Sequence, residues 1–246
     1  MWKDKKISVV FPAYNEGGNI LRAIQDFSQP CIDEIIVIDN NSTDNTRQEA
    51  KETNAILIEE KKQGYGYAIR KGLKEAKGDY IIVSEPDGTF LGRDVYKLLS
   101  YADEFDLVLG TRTRKELIWR EANMGLFLRW GNIAVAKLLQ LLFLGPYLTD
   151  VGCTFRLIKR EALVKIKDKF KVGGSHFSPE MMILAIANKL KVIEVPVNYR
   201  GRVGISKITG KKGEALKLGL KMIILIMILI INGLIFGTTI IRVNLL

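Results

Sequence analysis

Two carboxylates stand two residues apart in Ser84-Glu85-Pro86-Asp87-Gly88, directly after the apolar run Tyr80 to Val83. Where a strand ends, side chains at i and i+2 point to the same side of the backbone. Hard divalent cations take oxygen ligands, and Mg2+ is typically held by one or two carboxylates together with phosphate oxygens of a substrate. Glu85 and Asp87 therefore suit a clamp for a metal and a diphosphate, while the same Pro-Asp-Gly sequence also suits a solvated turn. His176 is the single histidine and Cys31 and Cys153 are the only cysteines, so a Cys/His zinc site and a disulfide scaffold are both disfavoured.

A second group of polar residues follows two earlier apolar runs. Phe11-Pro12-Ala13-Tyr14-Asn15-Glu16 leads into Gly17-Gly18. Pro12 interrupts a sheet ladder, Tyr14 offers a flat ring, and Glu16 beside exposed backbone donors can bind a base and ribose edge. Ile38-Asp39-Asn40-Asn41-Ser42-Thr43-Asp44 ends the next run; Asp39 can accept from a nucleobase or ribose, whereas Ser42 or Asp44 suits a helix cap. The 37 basic against 27 acidic residues leave a net charge of +10, which points to anionic partners: nucleotide phosphates, nucleic acid or an anionic membrane. No nucleic-acid-binding motif is present, and membrane flanks account for much of the basic excess.

The elements that must position these residues alternate. Ile7 to Phe11, Glu34 to Asp39, Ala55 to Glu59, Tyr80 to Ser84 and Leu107 to Gly110 read as short strands, separated by helical patterns at Gly18 to Gln29, Asn45 to Thr53 and Gly66 to Ala76. This βαβ rhythm predicts an α/β fold with a mostly parallel sheet, flanking helices and ligands beyond the carboxyl ends of the strands. In 246 residues, 48% of them hydrophobic, there is enough chain for one large domain and an appendage.

Met124 to Leu144 is an amphipathic stretch whose polar residues Arg129, Asn132, Lys137 and Gln140 fall within one arc, fitting a core helix or an interfacial one. Met222 to Ile241 carries no charge and as a helix would span roughly 30 Å, the thickness of a hydrocarbon core. It reads as a single membrane span. Arg200, Arg202, Lys207, Lys211, Lys212, Lys217 and Lys221 precede it and only Arg242 follows, which keeps the large domain cytoplasmic. Met1 to Lys6 is too polar, and Ile7 to Phe11 too short, for a signal peptide.

Six motifs occur in one order: P-A-Y-N-E at Pro12 to Glu16, I-D-N-N-S-T-D-N-T at Ile38 to Thr46, K-G-D-Y-I-I-V at Lys77 to Val83 before the acidic pair, D-V-G-C-T-F-R at Asp150 to Arg156, F-S-P-E-M at Phe177 to Met181, and R-x-G-x-S-K at Arg202 to Lys207. Together they resemble the family 2 glycosyltransferases of GT-A fold, and within them the polyprenyl-phosphate sugar transferases, over roughly residues 5 to 210. The resemblance implies a glycosyltransferase domain over 1–210, followed by a basic juxtamembrane segment and transmembrane helix over 211–246. It implies that Pro12, Tyr14, Glu16 and Asp39 hold the base and ribose, with Glu85, Arg202 and Lys207 completing the nucleotide site. Glu85 and Asp87 would hold Mg2+ or Mn2+, Glu85 standing where the family usually has Asp. Asp87, Asp150, Arg112 and Arg156 would form the catalytic set, although Cys153-Thr154 replaces the Ser-Gly before the family's corresponding arginine. The implied partners are a GDP- or UDP-sugar donor, a polyprenyl or dolichyl phosphate acceptor and a membrane.

The chemistry is consistent with that division. Guanidinium groups grip phosphate as a fork and a divalent cation neutralises a leaving diphosphate. An acceptor phosphomonoester, with a second pKa of about 6, is already an oxyanion at neutral pH, so direct displacement with inversion needs alignment more than a general base. Asp150 fits either an arginine-orienting role or that of a base. A glycosyltransferase with a soluble or protein acceptor and a noncatalytic nucleotide-sugar-binding membrane module are the alternatives, the second suggested by Glu85.

Overall fold

A computed structural model describes residues 1–122, 126–143, 145–203 and 212–235. In chain order its elements are β1 (Ile7–Ala13), α1 (Ile20–Phe27), β2 (Glu34–Asp39), α2 (Thr46–Lys51), β3 (Ile56–Glu59), α3 (Tyr65–Glu75), β4 (Tyr80–Val83), α4 (Val95–Leu99), β5 (Leu107–Thr111), α5 (Leu126–Phe143), β6 (Arg156–Lys159), α6 (Arg160–Ile166), α7 (Phe177–Ala187), β7 (Val192–Pro196) and α8 (Lys212–Ile235). The five strands expected from the sequence all form. β6 carries a basic residue at each end and β7 a glutamate at its centre, so neither stands out as an apolar run.

The seven strands make one sheet in the order β3-β2-β1-β4-β6-β5-β7. All neighbours are parallel except β6, which is antiparallel to both β4 and β5. Successive side chains alternate between two cores: Val10, Ile38 and Ile81 pack beneath α3, while Val9, Phe11 and Ile82 pack with Ile20, Ile24 and Phe27 of α1. The chain runs outward from β1 to β3 and then returns to place β4 on the other side of β1. That reversal opens a crevice at the carboxyl ends of β1 and β4, where open α/β sheets bind ligands. Because β6 runs the opposite way, its first residue, Arg156, lies at this same rim, in register with Val83 of β4 and Leu109 of β5.

Helix α3 lies close on the sheet because Gly72 has no side chain. A Cβ there would stand 2.2 Å from Val10 Cγ1 and 3.2 Å from Ile38 Cγ1. Gly72→Ala gains about 1 kcal/mol of helix propensity but overpacks a stiff β-branched neighbour at about 1–3 kcal/mol, so a net loss of stability is expected. Thermal unfolding checks this, and an unchanged or raised Tm would contradict the close approach.

The amphipathic stretch forms α5, with its ends Met124 and Leu144 outside the described residues. It does not simply divide core from water. Val135, Ala136, Leu139 and Phe143 are buried, yet the opposite face exposes Trp130 and Leu141 at 66% and 72%, more than any residue of the expected polar arc. Helix α8 packs on α5 and α7 through Met222 and Ile226, while Leu220, Ile223, Ile224, Met227 and Ile228 face outward. Residues 236–246, which include the end of the expected span, lie outside the described residues, and among the described residues no helix is long and apolar enough to cross a membrane.

Candidate active site

The first wall of the crevice is built by the loops after β1 and β2, which hold each other. Asn15, at φ 56°, donates its N–H to Ser42 Oγ at 3.1 Å and accepts from Thr43 N at 2.8 Å. Glu16 N donates to Thr46 Oγ1 at 2.8 Å, and Gly17 N donates to Asp44 Oδ2 at 2.9 Å. Asp44 also accepts from Thr46 N, as expected of a residue opening a helix. Pro12 is buried and Tyr14 half-buried beside this loop. Asp39 is fully buried and gripped by a residue the sequence did not single out: Arg47 donates to its Oδ2 from Nη2 at 2.6 Å and from Nε at 3.2 Å.

The second wall is the rim of β4. Asp87 is 0% exposed, and its Oδ1 accepts from Thr89 N at 3.0 Å and Thr89 Oγ1 at 2.6 Å. Gly88, at φ 77°, supplies the left-handed conformation this tight turn needs. The turn reading and the clamp reading are thus compatible: the turn locks one carboxylate oxygen and leaves Oδ2 buried without a hydrogen bond, 3.0 Å from Arg202 Nη1. Glu85 is only partly buried by surface area, yet desolvation and the adjacent Asp87 charge push its carboxyl up to about 8. Among the described residues no group of three or more acidic, histidine or cysteine side chains gathers for a metal.

Arg202 joins the two walls. Its Nη2 donates to Glu16 Oε1 at 2.7 Å while Nη1 faces Asp87, so one guanidinium bridges both carboxylates. The segment after β7 is strapped to the same turn: Val203 N donates to Asp87 O at 3.0 Å, Arg200 N to Thr89 O at 2.8 Å, and Arg200 Nε to Gly88 O at 3.1 Å. Arg200 and Arg202, counted above as membrane flank, are therefore committed to the crevice. Lys207 lies outside the described residues.

The third wall carries two arginines. Arg112, at the end of β5, makes a fork with Asp150: Nε to Oδ2 at 2.8 Å, Nη2 to Oδ1 at 3.0 Å, with the Arg112 backbone N–H also donating to Oδ2 at 3.0 Å. Gly152 N adds a fourth bond to Asp150 at 3.1 Å. Burial raises the Asp150 pKa, but the Arg112 charge and these donors outweigh it and hold the carboxyl below its usual range. A carboxylate so engaged holds the arginine in place and has little basicity to offer. Arg156, 3% exposed, donates from Nη1 to Ser178 O at 3.1 Å and from Nη2 to Cys153 O. Among the described residues it has no ion-pair partner.

The walls come within electrostatic reach of one another. Glu85 lies within the fields of Arg202 and Arg112, and the Tyr65 hydroxyl, which burial raises well above its usual pKa, lies within those of Glu85 and Arg156. Tyr65 opens α3 and was not anticipated; nor was the Arg47 fork. Both come from ordinary helix positions whose approach to the crevice depends on how the helix crosses the sheet.

A doubly wound sheet with nucleotide-type loops at its switch point, an acidic pair at the adjoining rim and antiparallel β6 defines a glycosyltransferase of the GT-A kind. Residues 8–167 match glycosyl transferase family 2, and the chain belongs to that family. It is 31% identical over 205 residues to the low-salt glycan biosynthesis hexosyltransferase Agl6 of Haloferax volcanii, covering 80% of this chain but 48% of that protein, so it spans about half of that relative's length. It is 28% identical over 217 residues to the UDP-N-acetylglucosamine–dolichyl-phosphate N-acetylglucosaminyltransferase of Methanococcus voltae, covering 79% of this chain and 85% of that one. The fold superposes with a TM-score of 0.72 on glucosyl-3-phosphoglycerate synthase from Mycobacterium tuberculosis in complex with Mn2+, UDP and phosphoglyceric acid, at 19% identity over 92% of this chain and 79% of that chain.

Proposed function

We propose that this glycosyltransferase moves a sugar from a nucleoside diphosphate sugar to the phosphate of a polyprenyl lipid such as dolichyl phosphate, at a membrane surface. The observation that carries the reading is Arg156, a buried guanidinium that gives its hydrogen bonds only to main-chain carbonyls, beside the Arg112 fork. A buried cation without a counter-ion is costly, and an acceptor phosphate seated there offsets the cost. The dolichyl phosphate named for the Methanococcus relative, and the UDP and Mn2+ named for the Mycobacterium enzyme, support the lipid phosphate, a UDP-sugar donor and a divalent cation respectively.

The acidic pair fits such a cation. Asp87 Oδ2 is a buried acceptor with no hydrogen bond, and two residues away the Glu85 carboxyl is raised by desolvation and by the neighbouring Asp87 charge, as in two acids that share one site. Two carboxylates plus substrate phosphate oxygens are a usual set for Mg2+ or Mn2+. When bound, the cation neutralises negative charge developing on the leaving diphosphate. Pro12, Tyr14, Glu16 and Asp39 hold the base and ribose, and Arg112 and Arg156 align the acceptor phosphate. One oxygen of that phosphate forms the new bond to the anomeric carbon as the bond from that carbon to the diphosphate breaks. The electron pair leaves with the nucleoside diphosphate and the configuration inverts. No proton need be removed, because the acceptor is already an oxyanion.

Arg202 bridges Glu16 and Asp87, 3.0 Å from the oxygen offered to the cation. Removing its charge relieves the repulsion between the guanidinium and a cation entering at Asp87, so Arg202→Met is expected to bind Mn2+ alone several-fold more tightly, by calorimetry, while binding the nucleotide sugar more weakly. Equal or weaker Mn2+ binding would remove Arg202 from this role.

The apolar faces of α5 and α8, with Trp130, Leu141, Ile223, Ile224 and Met227 outward, suit a bilayer surface. A single span over Met222 to Ile241, with the domain on the cytoplasmic side and Lys211, Lys212, Lys217 and Lys221 at the headgroups, would place the lipid acceptor locally. The test is a screen of UDP- and GDP-sugars with dolichyl phosphate and Mn2+, read by mass analysis of extracted lipid. A lipid-linked sugar is the expected product. Turnover only with a soluble acceptor, or donor binding with no transfer to any acceptor, would replace this reading with one of its two alternatives.

A further inference from the structure

The Arg112–Asp150 fork is held from behind by a residue that no motif marks. Glu194 lies in the middle of β7, in register with Leu109 of β5. Its carboxylate accepts from Thr149 N at 2.8 Å and 2.7 Å through Oε1 and Oε2, from Thr149 Oγ1 at 2.7 Å, and from Asp150 N at 2.9 Å. Every hydrogen bond it makes is an accepted one, while the nearby Asp150 charge opposes it. Beneath it the hydroxyls of Thr111, Thr113 and Thr149 form a triangle with sides of 3.0, 2.9 and 2.9 Å, and Thr111 and Thr113 flank Arg112 on either side. The network therefore fixes the Asp150 backbone from Glu194 and the Arg112 backbone from the threonines, while Asp150 joins the two side chains.

We propose that Glu194 is a positioning residue: by holding the Thr149–Asp150 main chain it sets the angle at which Asp150 presents Arg112 to the acceptor phosphate. Glu194 makes its hydrogen bonds to Thr149 and to the Asp150 main chain, behind the fork. Its effect passes through two backbone N–H groups, so it requires an acceptor on both oxygens. Glutamine offers only one acceptor oxygen and turns an NH2 against N–H donors, which loosens the loop without removing bulk. Supporting partners of this kind typically alter function by about 10–100-fold. The inference rests on the proposed role of Arg112, and its test separates the two.

Three measurements on wild type, Glu194→Gln and Thr149→Val decide it: kcat with dolichyl phosphate, calorimetric affinity for UDP with Mn2+, and protection of the Arg112 Nε–H from solvent exchange by 15N NMR. Thr149→Val deletes only the hydroxyl and serves if Glu194→Gln is poorly folded. For Glu194→Gln the expected result is kcat lower by about 10–100-fold, UDP–Mn2+ affinity within two-fold of wild type, and loss of Arg112 protection; Thr149→Val should show the same pattern more weakly. Unchanged Arg112 protection in folded Glu194→Gln, or a parallel loss of nucleotide affinity, would overturn the proposal. If wild type transfers no sugar to the lipid while Glu194→Gln still loses Arg112 protection, the acceptor reading fails and the positioning role stands.

Discussion

Asp87→Asn is expected to lower sugar transfer by about 1,000-fold with the fold intact. A cation that neutralises a leaving diphosphate contributes several kcal/mol to the transition state, and each 1.36 kcal/mol is a factor of ten in rate. Asparagine keeps an oxygen where Oδ1 accepts from Thr89 N and Thr89 Oγ1, so the turn survives. What it loses is the anionic character of Oδ2, the buried oxygen that now faces Arg202 alone. Circular dichroism and Tm close to wild type, no measurable Mn2+ binding and a collapse in kcat are the expected set. Transfer within ten-fold of wild type would show that the acidic pair is a structural turn and nothing more.

Asp150→Asn should strike stability as well as activity. The Arg112 side chain is 12% exposed and that of Asp150 is 0% exposed. Removing one partner of a buried pair leaves the other charge uncompensated, at about 3–5 kcal/mol. Replacing both together, as Arg112→Met with Asp150→Leu, should recover only part of that stability in urea melts, because the Arg112 and Gly152 N–H groups lose their acceptor, and none of the activity. The pH dependence has a defined sign. The folded-state pKa of Asp150 is depressed from the ordinary value of 3.8, so its contribution is present above that value and is lost as pH falls through the lower folded pKa. Asp150→Asn should therefore flatten the stability profile in the acid range below about pH 4. An Asp150→Asn melt coincident with wild type at pH 7 would mean that the fork contributes only orientation.

The motifs exposed the crevice because short polar runs after strands have few other uses. Pro12 to Glu16, Asp39, and Glu85 with Asp87 each stand at the end of a strand, and the sheet brings their three loops together as the βαβ rhythm predicts. The supporting partners were not legible. Arg47 is eight residues past Asp39, in the first turn of α2, and resembles any exposed helix arginine; Glu194 is a polar position in a half-buried edge strand, 44 residues from the Asp150 N–H it binds. Hydrophobic periodicity identifies which side of an element is apolar, and says nothing of which distant polar group will meet a polar one. Helix α5 shows the same limit: its polar arc was correctly placed on a helix, but Trp130 and Leu141 are the most exposed of its described side chains, because α8 and the core take the other sides.

Taken by itself, the sequence determined that the chain forms a mostly parallel α/β sheet and that it belongs to the glycosyl transferase family 2 whose ordered motifs it carries. These are properties of local propensity and contiguous motifs, which need no knowledge of distant contacts. Only the tertiary structure decided that Asp150 orients Arg112, that Arg202 bridges Glu16 and Asp87, and that Glu194 anchors the loop behind them. Those pairings depend on β6 running antiparallel between β4 and β5 and on β7 closing beside β5. Strand order and direction are set by the packing of the whole sheet, and a buried charge takes its partner from whatever that packing brings within hydrogen-bond reach.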